Sequence, residues 1–201
     1  RKNRALTKSI NIKIISWTIL LGILCSCQPE TKKLVVMGDY SNYSGIDTTK
    51  TVTIDSYQLD LDLSGSKDSI ILGNLKDLIG DPQLFTFVKL ITEYQTVEIR
   101  NVGGFKIDSN SIIGYENQIE SDFIFIAKTK TEKTLAFIWD YQYPDCTNKF
   151  EIYSIGQNEI LKLFSENLIV EEIADSENEN KLILSTNSTC ENETMIFEIT
   201  Y

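Results

Sequence analysis

Leu135-Ala136-Phe137-Ile138-Trp139, a polar loop carrying Cys146, and then Phe150-Glu151-Ile152-Tyr153-Ser154-Ile155 decide the fold class. Both runs are short, aromatic or β-branched, and bounded by polar turn residues, which is the pattern of paired strands. The same arrangement returns downstream. Leu182-Ile183-Leu184-Ser185, a polar loop carrying Cys190, and Met195-Ile196-Phe197-Glu198-Ile199 follow one another, with the two cysteines 44 residues apart. Further strand-like runs cover residues 84–90, 96–102, 123–127, 160–164 and 168–173. Only Asn74–Ile79 reads as helical, and it spans barely two turns. The chain is expected to be all-β, built of antiparallel sheets.

A weaker echo of the paired runs, Val97-Glu98-Ile99-Arg100-Asn101-Val102 before Gly103-Gly104-Phe105-Lys106-Ile107, lacks a cysteine. A period near 45 residues with about four short strands is the size of one propeller blade. Residues 51–201 hold about three such units, too few for a closed ring, so the expectation is one all-β domain with an incomplete or open arrangement. Chance similarity between β-hairpins is the competing explanation.

The N-terminal part carries a different signal. Arg1, Lys2, Arg4, Lys8 and Lys13 precede the apolar run Ile14–Leu24, and no acidic residue occurs before Glu30. A basic segment, a short apolar segment and small residues describe a secretory signal. The run is too short to span a bilayer, which needs about 20 apolar residues. Leu24-Cys25-Ser26-Cys27 resembles the bacterial lipobox, which implies a signal peptide over 1–26 and lipidation of Cys27. Residues 27–50, rich in polar and turn-forming side chains, then read as a lipidated cysteine and its tether. Gln28 after the cysteine resembles the signal for outer-membrane sorting, and the single acidic Glu30 favours the periplasmic face over the cell surface.

Without the signal peptide, 14 basic residues stand against 29 acidic ones. That balance argues against nucleic acid, which is bound through basic patches. Histidine is absent, which removes Ser-His-Asp and Cys-His catalysis and histidine-containing zinc sites. Cys146 and Cys190 form an even pair in an oxidising compartment, and a disulfide between them is expected.

One constellation carries chemistry. Asp60, Asp62, Ser64, Ser66 and Asp68 fall at positions 1, 3, 5, 7 and 9 of a loop with Gly65 at its sharp turn. Alternate oxygen ligands of this kind suit Ca²⁺, with Ser66 offering its carbonyl. Position 12 is Ile71 and a strand follows, so the loop is not an EF-hand. The pattern D-x-D-x-S-G-x-x-D before an apolar strand resembles the calcium loop of FG-GAP β-propeller repeats and of VCBS-like repeats. The alternative is an ordinary half-buried strand, with Tyr57, Leu59, Leu61 and Leu63 on one face and Gly65-Ser66 as its turn.

These features make an envelope lipoprotein whose non-catalytic, Ca²⁺-stabilised β-repeat domain binds a protein or glycan partner the leading expectation. A carboxylate-dependent, glycosidase-like hydrolase and a structural or assembly lipoprotein of the outer membrane are the alternatives.

Overall fold

A computed structural model describes residues 32–41, 43–78, 85–100, 112–113, 116–120, 124–140, 148–176, 180–187 and 194–201. Lys32–Tyr201 form one compact unit. The chain is all-β: thirteen strands are seen, and among the described residues the one helical element is a 3-10 turn at Lys76–Leu78. The two-turn helix expected over Asn74–Ile79 does not form. Asn74 and Leu75 are buried as the end of a strand, and burial overrides the weak helical preference of this short segment.

The first sheet contains β1 (Lys33–Met37), β2 (Thr51–Leu59), β3 (Asp68–Leu75), β4 (Phe87–Ile91) and β5 (Gln95–Arg100), in the spatial order β1-β5-β4-β3-β2. Strands β2 to β5 form an antiparallel meander, and β1 joins β5 in parallel, Lys33 opposite Gln95 and Met37 opposite Ile99. Residues 33–37 were expected to belong to the tether. Instead Val35 and Met37 pack against the core of this sheet, so the folded unit starts at Lys32 rather than at residue 51.

The second sheet contains β7 (Glu116–Glu120), β8 (Ile124–Lys128), β9 (Thr134–Asp140), β10 (Asn148–Ile155), β11 (Ile160–Asp175), β12 (Lys181–Asn187) and β13 (Thr194–Thr200), with neighbours in chain order. The short β6 (Ile112–Ile113) lies parallel to β11 at Ile173 and Ala174. All other neighbours in this sheet are antiparallel. Neither sheet closes on itself.

Strand β11 is the organiser. Its first half, Ile160–Leu168, pairs with β10, and its second half, Ile169–Asp175, pairs with β12 across a bulge at Glu171. Strands β8 to β10 are buried on both faces as a result. Ile124, Ile126, Ala136, Ile138 and Tyr153 meet the inner face of the first sheet. Phe125, Phe137, Phe150 and Ile152 face a second core completed by Ile173, Leu182, Leu184 and Ile199. A near-continuous apolar run such as Ile124-Phe125-Ile126-Ala127 is what double-sided burial demands of a strand. The fold is therefore three packed layers.

Candidate metal centre

The acidic loop connects β2 to β3. The chain leaves the strand after Leu59, bends through residues 61–66 and re-enters at Asp68. The alternation from Tyr57 to Ser64 thus does not continue as a strand. Leu61 is fully buried in the core between the sheets, and this anchor turns its neighbours Asp60 and Asp62 inward. Leu63 and Gly65 adopt positive φ, 58° and 85°. Glycine accepts that conformation at no cost, whereas Leu63 is held there against its preference.

Three carboxylates converge. Asp60, Asp62 and Asp68 each offer an oxygen within 4.8 Å of the others, with Asp62 and Asp68 each only 4% exposed. Asp68 Oδ2 accepts the Leu61 amide at 2.9 Å and the Asp62 amide at 3.2 Å, closing the loop on itself. Asp62 Oδ1 accepts the Ser64 amide at 3.0 Å, and Asp60 Oδ2 accepts the Gly65 amide at 3.0 Å. Asp60 Oδ1 and Asp62 Oδ2 are buried and have no hydrogen-bond partner among the described residues. A buried carboxylate oxygen without a partner is costly, and neighbouring like charges raise the cost. Burial lifts the Asp68 carboxyl above its ordinary range, and repulsion from Asp62 and Asp60 pushes the same way against the two amide bonds. A divalent cation would relieve both penalties.

The five residues singled out in the sequence thus divide. Asp60, Asp62 and Asp68 come together. Ser64 and Ser66 are exposed on the outer side of the loop, their hydroxyls 2.7 Å apart. Cys27, Cys146 and Cys190 lie outside the described residues.

Two shallow clefts flank the loop. One, about 380 Å³, is lined by Lys32, Ser66, Lys67, Asp68, Thr92 and Glu93 among others. The other, about 420 Å³, brings Asp62 and Leu63 beside Glu132, Lys133, Gln157 and Glu159 from the turns of the second sheet. Sequence spacing gave no hint of these neighbours, because they come from turns 30 to 100 residues away.

Comparison with protein-family models, with curated proteins and with solved structures finds no match to the chain.

Proposed function

We propose that this is an envelope lipoprotein, acylated at Cys27 and held on the periplasmic face of an outer membrane, whose non-catalytic β domain binds a protein or glycan partner. Its acidic loop takes Ca²⁺, with Asp60, Asp62 and Asp68 as carboxylate ligands and Ser64 and Ser66 completing the oxygen set. One observation carries the metal reading: three clustered carboxylates include two buried oxygens without a hydrogen-bond partner. A hard cation with six to eight oxygen ligands suits such a flexible, all-oxygen loop. The ion's task is conformational. The loop's own amides already hold one oxygen of each carboxylate, so the ion would lock the β2–β3 connection over the core.

The blade-like organisation belongs to the same proposal. Support comes from spacing: β8, β9 and β10 precede the second half of β11, β12 and β13 by about 45 residues each. The stacking of successive meanders face to face agrees with an open series of such units.

Thermal unfolding in millimolar Ca²⁺ against chelator tests the metal site. At a hundredfold excess over Kd a ligand specific to the folded state adds about 2.7 kcal/mol, which amounts to several degrees for a domain of this size. Asp68→Asn keeps an acceptor oxygen for the Leu61 and Asp62 amides and should abolish the calcium shift. Identical melting of the wild type in both conditions would discard the metal site.

A further inference from the structure

The five residues between Cys27 and Lys33, the first residue of β1, set a limit on the tether. Fully stretched, it reaches about 20 Å. A unit of 170 residues measures roughly 40 Å across. A tether shorter than the domain decides which end meets the bilayer, and that is the end where β1 begins. The parallel pairing of β1 with β5 puts the β4–β5 turn at this end, and the antiparallel β2–β3 pair puts the acidic loop there too. Lys32 accordingly lines one cleft with Ser66, Lys67, Asp68 and Thr92.

We propose that this end of the first sheet is a docking surface for the bilayer, with the phosphates of lipid headgroups entering the cleft between Lys32 and Lys67. The inference rests on acylation of Cys27. Lys32, Lys33 and Lys67 are all exposed, and they gather positive charge at one end of an otherwise acidic molecule. Basic residues beside a bilayer are drawn to its anionic headgroups within a Debye length. The hydroxyls of Ser66 and Thr92 add neutral donors to the same cleft. Leu34, 63% exposed on β1, supplies an apolar side chain next to the tether. Among the described residues β1 pairs only with β5, so its outer edge is open on this side. Cation binding by Asp60, Asp62 and Asp68 would lower the negative charge facing the headgroups.

Acylation of native lysines by a water-soluble reagent, read by mass spectrometry, tests the docking. The mature lipoprotein is compared in phosphatidylglycerol vesicles, in non-ionic detergent, and in detergent with inorganic phosphate. Expected is a several-fold loss of reactivity at Lys67 in vesicles only, with Lys76, at the opposite end of β3, unchanged. Equal reactivity of Lys67 and Lys76 in vesicles, in protein whose mass shows an acylated Cys27, overturns the docking while leaving the anchor intact. Equal protection of Lys67 by inorganic phosphate in detergent also overturns it, since the cleft would then be a plain anion site. A mature mass without acyl chains removes the anchor, and the docking with it.

Discussion

Gln95 Oε1 accepts a hydrogen bond from the backbone amide of Ile160 at 3.1 Å, across 65 residues of sequence. Gln95 starts β5 in the first sheet and Ile160 starts β11 in the second, and both are nearly fully buried. This bond satisfies the Ile160 amide at the point where the two sheets meet. Gln95→Met, similar in volume but without an acceptor, leaves that amide buried and unpaired. The expected loss is about 1–3 kcal/mol in chemical denaturation. A variant as stable as wild type would mean that the sheets do not rely on this contact.

Glu151 is the other buried polar hub. Only 3% exposed, it receives Lys162 Nζ at 2.6 Å, Lys149 Nζ at 3.0 Å, Ser165 Oγ at 3.0 Å and the Tyr153 hydroxyl at 2.8 Å. Burial pushes its carboxyl up, but the bond from Lys162, the bond from Tyr153 and the charge of Lys149 outweigh it, so the net shift is downward. A carboxylate whose folded pKa is depressed adds stability that is complete above its unfolded value and is lost as pH falls through the folded one. Glu151→Gln should therefore cost about 1.5–3 kcal/mol at neutral pH. The gap between wild type and variant should close as pH falls below about 4. A gap that stays constant from pH 7 to pH 3 would show that the charge of Glu151 does not matter.

Gly73 lies on β3 directly opposite Phe87 on β4. A Cβ added at Gly73 would stand 2.0 Å from Phe87 Cζ, and that ring is 2% exposed with Lys89 Nζ 5.0 Å from its centre. The ring has no room to retreat. Gly73→Ala should destabilise by about 1–3 kcal/mol through overpacking, despite the general preference of strands for alanine over glycine. Phe87→Leu in the same molecule should recover part of the loss, a coupling that a double-mutant cycle reads directly.

The strands easiest to read in the sequence are those whose burial shows in the local pattern. Leu135–Trp139, Phe150–Ile155, Leu182–Ser185 and Met195–Thr200 all fall within observed strands. Residues 160–164 and 168–173 read as two strands, yet they are one. The polar Ser165, Glu166 and Asn167 look like a turn but remain paired with Glu151, Phe150 and Lys149 of β10. Strand β1 was hidden for a different reason. Its polar flanks resemble a linker, and its partner, Gln95–Ile99, is about 60 residues distant. The acidic loop was legible as a spacing of oxygens. That Leu61 would bury itself and draw two aspartates inward depends on a core assembled from distant strands.

The two cysteine loops provide the last test. Asn148, two residues after Cys146, is the ladder partner of Leu168, and Asn187, three residues before Cys190, is the partner of Ile169. Both loops thus depart from β11 at consecutive residues, where the strand passes from its β10 partner to its β12 partner. That register favours a Cys146–Cys190 disulfide, which would clamp the two halves of β11 and hold β12 and β13 over the second core. Closing a loop of this length contributes about 4 kcal/mol on the chain-entropy model. Non-reducing peptide mapping should find the two cysteine peptides joined, and reduction should lower the melting temperature by several degrees. Replacing both cysteines with serine should give the same lowered melting temperature with or without reductant. If both thiols of the native, unreduced protein can be alkylated, the kink in β11 is held by the bulge at Glu171 and the Phe164–Phe197 contact, 5.2 Å between ring centres, and not by a covalent bond.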